Sequence, residues 1–285
     1  MSASTLDALL ARLGTGRALC AFNVETYDFV VAAFRAAASV GVPVVLGVSV
    51  PVAETFGYRY LAKLVALVAS GFDVDYCLHL DHAEDADSIH RALDGGFDSA
   101  NLLNEGALSA DDYERTAILV RERNPTASLE FVLGTLGHAP GSSHAGADHH
   151  HLADATHGVD EIVRFAAATR PTVLGFDMGS LHGMTESTQA VDVAVIAEVH
   201  ARTGLPLVLH GSSGVAGDVL ADAIAAGVRK VNIETALRVT YLDAVRALVA
   251  PGAAGERKPR VLSARASSAL EMKMIDYLTM YTRSR

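Results

Sequence analysis

The chain has 285 residues, of which half are hydrophobic and a fifth are charged, and its formal net charge is −10 at pH 7. This balance is typical of a globular protein with a large core and excludes a disordered chain. The acidic charge argues against a nucleic-acid partner, which needs clustered Lys and Arg. No run approaches the roughly 18 apolar residues of a membrane span, and no secretory signal is visible, so we expect a cytoplasmic protein.

Short apolar segments alternate with longer amphipathic segments along the chain. A short helix is predicted to follow Thr5 and to end at Gly14 and Gly16, where it would plug or flank a barrel. Eight strands are then predicted, at Ala18–Val24, Pro43–Ser49, Tyr76–His82, Ser99–Asn104, Ser128–Gly134, Thr172–Gly179, Pro206–Gly211 and Lys230–Glu234. Segments with helical spacing follow the strands, for example Phe29–Val40, Tyr58–Ser70, Asp111–Arg123, Val191–Thr203 and Thr235–Val249.

The alternation of continuous apolar strands with helices indicates parallel strands that are covered on both faces. Eight such units favour a closed TIM (β/α)8 barrel over the alternative, an open doubly wound sheet. We therefore expect residues 1–285 to form one barrel domain with a short N-terminal helix and a C-terminal helical extension. One long segment rich in Gly, His and Ala, from Gly137 to His157, is predicted to be a functional or mobile loop.

Three histidines stand at the predicted carboxyl ends of strands, where barrels place their chemistry. His82 ends the third strand, His182 follows the sixth and His210 ends the seventh. Three imidazoles with an open fourth position are typical of a catalytic zinc site. The alternative is that each is a hydrogen-bonded core or rim histidine, and from spacing alone the two interpretations are balanced. We interpret His79 as a packing residue inside the barrel.

Two polar turns follow the last two predicted strands. His210-Gly211-Ser212-Ser213-Gly214 comes after the seventh strand, and Asn232-Ile233-Glu234-Thr235 leads from the eighth strand into a helix. Glycine backbone, hydroxyl groups and a helix N-terminus all favour an anion, and barrels commonly bind phosphate after strands seven and eight. Each run by itself is also compatible with an ordinary turn.

Five segments together resemble the class II, metal-dependent ketose-bisphosphate aldolases, above all the tagatose-bisphosphate and fructose-bisphosphate branch. The resemblance extends over nearly the whole chain, and the order and spacing of its motifs match. The segments are Ala21–Val24, His79–His82, Gly179–Met184, Leu207–Gly214 and Lys230–Thr235.

The resemblance implies one Zn²⁺ per chain, although another divalent metal is possible, with His82, His182 and His210 as ligands. It implies that zinc polarises the ketone of dihydroxyacetone phosphate, so that no Schiff-base lysine is needed. Asp81 would exchange a proton with the aldehyde oxygen, and the alternative is that it only orients a neighbouring imidazole. Asn232 would hold the enediolate. Positions that match phosphate and substrate contacts are Gly183, Gly211, Ser213, Asn232 and Thr235, and we expect Ser49 to contact the aldehyde.

Two expected carboxylates are absent from the strand ends. The family usually has Glu-Leu-Gly after the fifth strand, where this chain has Val132-Leu133-Gly134, and an Asp after the fourth, which becomes Leu103. Neither apolar side chain can bind a metal, so we expect a second metal position to be lost.

The loop after the fifth strand also lacks the acidic pair whose Glu removes the C3 proton of dihydroxyacetone phosphate in the family. Here the loop reads Gly137-His138-Ala139-Pro140-Gly141-Ser142-Ser143-His144. A neutral imidazole can serve as a general base near pH 7. Our hypothesis is that His138 or His144 replaces the Glu. Asp177, on the sixth strand, is a further carboxylate that either reaches the pocket or forms a structural ion pair.

The leading interpretation is a metal-dependent class II aldolase that cleaves or forms a phosphorylated ketose through dihydroxyacetone phosphate. The ketose is either a fructose- or tagatose-bisphosphate-like substrate or an altered one. The alternative is a catalytically degenerate homologue that keeps the metal and phosphorylated ligand for a binding or regulatory role. A metal-dependent isomerase or epimerase would need a second acid/base group, and the sequence offers no clear candidate. The resemblance also implies a homodimer or homotetramer, with no nucleic-acid or membrane partner.

Overall fold

The computed structural model describes residues 3–134, 137–138, 157–183, 191–249 and 258–282, with the backbone alone at 137–138 and 181–182. Its strands are β1 Leu19–Asn23, β2 Val44–Ser49, β3 Tyr76–Ala83, β4 Ser99–Leu102, β5 Ser128–Leu133, β6 Gly137–His138, β7 Val173–Phe176, β8 Leu181–His182, β9 Leu207–Leu209 and β10 Val228–Ile233. Its helices are α1 Leu6–Arg12, α2 Tyr27–Val40, α3 Val50–Phe56, α4 Tyr58–Ala69, α5 Ala86–Gly95, α6 Ala110–Arg123, α7 Val159–Thr169, α8 Val193–Thr203, α9 Gly217–Ala226, α10 Thr235–Val249 and α11 Pro259–Thr282, with a 3-10 turn, η1, at Ser212–Gly214.

Eight parallel strands close into a barrel in the order β1-β10-β9-β7-β5-β4-β3-β2. The predicted TIM (β/α)8 barrel is therefore confirmed, and the open sheet is wrong. Each predicted strand matches an observed one to within about three residues at either end, the ordinary uncertainty of element boundaries. Helix α3, directly after β2, was not predicted, because Val50-Pro51-Val52 is short and offers little helical periodicity.

The N-terminal helix α1 plugs the barrel at the amino ends of the strands. Three of its leucines, Leu6, Leu9 and Leu10, pack against the lowest layer of inward-facing side chains, which are Leu19, Ala21, Val45, Cys77, Val173 and Val208. This plug keeps water out of the lower barrel interior. Buried apolar area of this kind stabilises by about 25 cal/mol per Å².

Above this apolar layer, the barrel interior is polar. Side chains alternate across a strand, so residues two apart share the inner face: Cys77, His79 and Asp81 of β3 form one such column. His79, Asn101, Glu130 and Lys230 form a buried middle layer. Above it, toward the carboxyl ends of the strands, lie Asp81, His210 and Asn232. The structure therefore corrects the interpretation of His79, which belongs to a charged network rather than to apolar packing.

Two further features lie outside the barrel sheet. Strands β6 and β8 pair in a small parallel sheet, in which His138 lies opposite His182. The C-terminal helix α11 packs against α2 and α10. In the part of the chain that the structure describes, no helix combines the length and apolarity of a membrane span.

Candidate metal and substrate site

A cavity opens at the carboxyl ends of the strands, and it brings together residues from five separate stretches of the chain. Seven of its lining residues were predicted: Asp81, His82, Gly183, Gly211, Ser213, Asn232 and Thr235. Two others, Asn23 and Glu234, were not. Loops from distant parts of the sequence therefore meet at one rim, as expected for a TIM barrel.

The backbone of His82 explains how two consecutive residues reach the same cavity. In a regular strand Asp81 and His82 would point to opposite faces. His82 instead has φ 58°, in the left-handed region, and the pairing of β3 with β4 shifts register between Leu80 and Ala83. The Asn101 side chain holds this kink, because its Oδ1 accepts a hydrogen bond from the His82 backbone N–H at 3.1 Å. Strain of this type costs about 1–3 kcal/mol and is concentrated at functional sites.

Two amides orient the Asp81 carboxylate. Asn23 Nδ2 donates to Oδ2 at 2.8 Å, and Asn232 Nδ2 donates to Oδ1 at 3.2 Å. Burial by itself raises the pKa of Asp81, but His82, His210 and Lys230 lower it below its usual range. Asp81 is therefore an ionised, aligned carboxylate at the cavity wall. Asn23 has room to lie there because Gly47 has no Cβ; a Cβ at that position would lie 2.5 Å from Asn23 Oδ1.

His82, at the cavity wall, and the neighbouring His210 each have one ring nitrogen beside a carboxylate. His82 Nδ1 lies 3.1 Å from Glu105 Oε1, and His210 Nε2 lies 2.8 Å from Glu130 Oε1. In the neutral tautomers that these contacts favour, Nε2 of His82 and Nδ1 of His210 keep their lone pairs. Burial lowers the pKa of His82, but the Asp81 and Glu105 carboxylates raise it to about 9. Without a bound metal this imidazole is therefore protonated near pH 7, and a metal would take the place of the Nε2 proton.

A buried ion pair supports His210 from below. Lys230 Nζ lies 2.7 Å from Glu130 Oε2 and also donates to Asn232 Oδ1 at 2.8 Å, while Asn101 Nδ2 donates to Glu130 Oε1 at 3.0 Å. Burial raises the pKa of Glu130, but Lys230 and the hydrogen bond from His210 lower it to about 2. Glu130 is therefore ionised, and its oxygens connect Lys230, Asn101 and His210.

His79 completes this network as a neutral base. Its Nδ1 lies 2.7 Å from Ser99 Oγ, and its Nε2 lies 3.4 Å from Lys230 Nζ. Burial and the nearby ammonium lower the pKa of His79 to about 3. The imidazole therefore donates from Nδ1 and accepts from Lys230 at Nε2, so the ammonium of Lys230 has three polar partners.

The donor atoms of Asp81, His82 and His210 lie within 4.8 Å of one another. Two imidazole nitrogens and a carboxylate oxygen at this spacing suit a divalent transition metal such as zinc. This part of the structure is therefore a possible metal site. His182 is placed only by its backbone, next to Gly183 at the cavity wall, and nothing in the described side chains tests its role as a ligand.

Among the remaining predicted residues, the structure describes the side chains of Ser49 and Asp177 but not those of His138 and His144. Ser49 lies opposite Asp81 in the pairing of β2 with β3 but does not line the cavity among the residues that the structure describes. Asp177 Oδ1 accepts from the Gly179 backbone N–H at 2.8 Å, in a local turn. The side chain of His138 and the whole of His144 lie outside the described residues, as does the run His149–His151.

An apolar contact occupies the two positions at which the family usually has carboxylates. Leu103 and Val132 are both fully buried and pack on each other as a separate small cluster. Neither apolar side chain has an atom that could bind a metal. Functional groups that the sequence analysis did not identify are Asn23, Asn101, Glu105, Glu130, Lys230 and Glu234. For Glu130 and Lys230 a signal was present, because each is a charged residue within a predicted buried strand.

A TIM barrel with two histidines, an aspartate and an asparagine at its carboxyl rim is compatible with a metal-dependent barrel enzyme. The chain matches the family described as class-II fructose-bisphosphate aldolase over residues 4–284, and it therefore belongs to that family. Class II aldolases are metal-dependent, which agrees with the possible metal site.

Solved structures show the same fold. The YdjI aldolase from Escherichia coli K12 has 18% identity and a TM-score of 0.80, with 98% of this chain and 97% of that chain covered. The fructose-bisphosphate aldolase (Fba) from Campylobacter jejuni has 19% identity and a TM-score of 0.76, with 98% and 95% covered. At these identities the likeness establishes the barrel and its connectivity.

Replacing Lys230 with methionine should destabilise the protein strongly, because it leaves the Glu130 carboxylate buried without its counter-charge. Breaking one partner of a buried pair typically costs about 3–5 kcal/mol of unfolding free energy. The double variant Lys230→Met with Glu130→Gln should lose less than Lys230→Met alone, since the buried charge is then gone. Urea unfolding in the presence of a chelator measures both.

The matched control is Arg246→Met, which breaks an exposed pair with Asp243 and should change stability by less than about 0.5 kcal/mol. A double variant that loses as much unfolding free energy as Lys230→Met alone, or as much as the two single variants together, would contradict this account.

Proposed function

We propose that the protein is a zinc-dependent aldolase that cleaves and forms a carbon–carbon bond of a phosphorylated ketose through dihydroxyacetone phosphate. The observation that carries the proposal is the convergence of Asp81, His82 and Asn232 on one cavity with two glycine- and hydroxyl-containing turns, where His210 lies close to Asp81 and His82. Family membership supports aldol chemistry, and the donor set supports a metal. The substrate assignment follows the resemblance of the sequence motifs, and the polar turns at the cavity support a phosphorylated ligand.

His82 and His210 would hold the metal through Nε2 and Nδ1, together with His182 from the adjacent segment. A divalent cation bound there would act as a Lewis acid that stabilises negative charge developing on the ketone oxygen. Asn232 holds its amide between Asp81 and His210, at 3.2 and 3.3 Å, where it can also orient a substrate oxygen. Asp81, ionised and aligned, would take the hydroxyl proton during cleavage and return it during condensation.

The phosphate would bind where two turns are joined. Ser212 Oγ donates to the Asn232 carbonyl at 2.6 Å, which ties η1 to the end of β10. Gly211 and Gly183 have φ values of 62° and 83°, a conformation that brings backbone close to a ligand without steric cost. Helix α10 begins at Thr235, and its N-terminus favours an anion. Ser213 and Thr235 supply hydroxyl donors.

The degenerate, ligand-binding homologue is the competing function. The apolar pair Leu103 and Val132 favours it, since two acidic positions of the family have been lost. The intact arrangement of Asp81 with Asn23 and Asn232 favours catalysis, because a binding site does not need an aligned proton carrier. A homodimer or homotetramer and a cytoplasmic location stay predictions of the proposal.

We expect the zinc-loaded protein to exchange the C3 hydrogen of dihydroxyacetone phosphate with deuterated water, without any aldehyde present. The exchange should be stereospecific and should fall to background after chelation, because carbanion formation depends on the bound cation. Proton NMR of dihydroxyacetone phosphate measures the rate. Asp81→Asn should retain most of this exchange while losing ketose cleavage. Asp81 exchanges a proton with the hydroxyl that becomes the aldehyde oxygen, and not with C3 of dihydroxyacetone phosphate. Folded, zinc-loaded protein without exchange would favour the degenerate homologue.

The base that removes the C3 proton is predicted to be His138 or His144. The double variant His138→Ala with His144→Ala should lower the exchange rate by about 10²–10⁴-fold, the usual contribution of a general base. Glu234→Gln is the matched comparison, since Glu234 is a carboxylate that lines the cavity and pairs with Arg238 at 3.5 Å. The same NMR measurement applies to all variants. Full exchange in the histidine variant, with loss in Glu234→Gln, would transfer the role to Glu234.

A further inference from the structure

The loop between β4 and α6 carries a carboxylate into the site from an unexpected position. Leu103, at the end of β4, is buried against Val132 and offers no polar atom. Two residues later, Glu105 places Oε1 3.1 Å from His82 Nδ1. The carboxylate next to this imidazole thus comes from the loop and not from the strand end.

The loop that holds Glu105 is fixed by the side chain of Asn104. Asn104 Oδ1 accepts from the backbone N–H groups of Gly106 and Leu108, at 3.1 and 3.0 Å, and its Nδ2 donates to the Leu108 carbonyl at 2.7 Å. Gly106 has φ 101°, which a glycine adopts without strain. These three hydrogen bonds close a tight turn around Glu105 and hold its backbone beside His82.

The contact of Glu105 with His82 corresponds to that of Glu130 with His210. In both cases a carboxylate lies beside the ring nitrogen that faces away from the cluster, at 3.1 and 2.8 Å. The opposite nitrogen of His82, Nε2, lies 3.9 Å from Asp81 Oδ2, and one donor atom from each of Asp81, His82 and His210 lies within 4.8 Å of the others. Carboxylates in this position fix the tautomer and ring orientation of a metal-binding histidine and increase its basicity.

We propose that Glu105 is the positioning residue that orients His82 for metal binding, in place of a carboxylate at the apolar position 103. The inference rests on the metal-binding part of the proposed function. Glu105 does not touch the metal or the substrate; it acts through Nδ1 of His82. The apolar pair Leu103 and Val132 closes the space between the ends of β4 and β5, so the loop is the route by which a carboxylate reaches this imidazole.

Zinc affinity tests the proposal directly, and it is measured by competition with a chromophoric chelator. Glu105→Ala should weaken zinc binding by about 10–100-fold, the usual effect of removing an outer partner of a metal-binding histidine. Glu105→Gln should weaken it less, because the amide oxygen can still accept from Nδ1. The matched control is Asp111→Asn, which removes the same charge from an exposed residue in the first turn of α6. It should retain affinity within about twofold, since Asp111 does not contact His82.

A second readout separates positioning from simple stability. The urea midpoint of the metal-free protein should stay near that of the wild type in Glu105→Gln, while zinc affinity falls. His210→Ala serves as the reference for the metal site itself. Affinity lost in His210→Ala but unchanged in both Glu105 variants would overturn the role of Glu105 alone. Affinity unchanged in all three would overturn the metal site and the proposed function with it.

Discussion

A buried positive charge inside the barrel is the constraint on which the site depends. Lys230 is fully buried, and its ammonium must be compensated without water. Glu130 supplies the opposite charge, and Asn232 and His79 supply the remaining polar contacts. Glu130 also contacts His210, and Asn232 also contacts Asp81. The side chains that compensate the Lys230 ammonium therefore also orient His210 and Asp81 at the rim. The apolar plug by α1 keeps this network dry from the other end.

The rim adds a second constraint, which is local strain at His82. A left-handed residue within β3 turns Asp81 and His82 to the same cavity, and Asn101 compensates the strained backbone while also contacting Glu130. Asn101 thus joins the buried network to the kink. A carboxylate lies beside one ring nitrogen of each histidine, from a loop at His82 and from the barrel interior at His210, and the other ring nitrogen of each remains available to a metal. Catalytic constellations need supporting groups of this kind, because a small misplacement is costly.

The sequence predicted the barrel and most cavity residues for identifiable physical reasons. Apolar strands separated by amphipathic helices favour few folds, and the carboxyl ends of parallel strands converge, so His82 and His210 could be placed together. The roles of Asp81 and Asn232 were implied by the resemblance to the aldolase family. The supporting groups could not be placed in this way. Glu130 and Lys230 stand 100 residues apart and become partners only when the barrel closes. The role of Glu105 depends on a turn that the Asn104 side chain holds. The sequence His79-Leu80-Asp81-His82 does not predict the backbone kink at His82.

The central claim is that His82 and His210 share a metal at this rim, and anomalous X-ray diffraction at the zinc edge tests it most directly. Crystals of zinc-loaded protein should show a strong peak about 2.0–2.1 Å from Nε2 of His82 and Nδ1 of His210, the usual zinc–imidazole distance. The same map should show Glu105 and Glu130 still beside the opposite nitrogens. A peak only at other histidines, such as the run His149–His151, or bonds through Nδ1 of His82 or Nε2 of His210, would contradict the account.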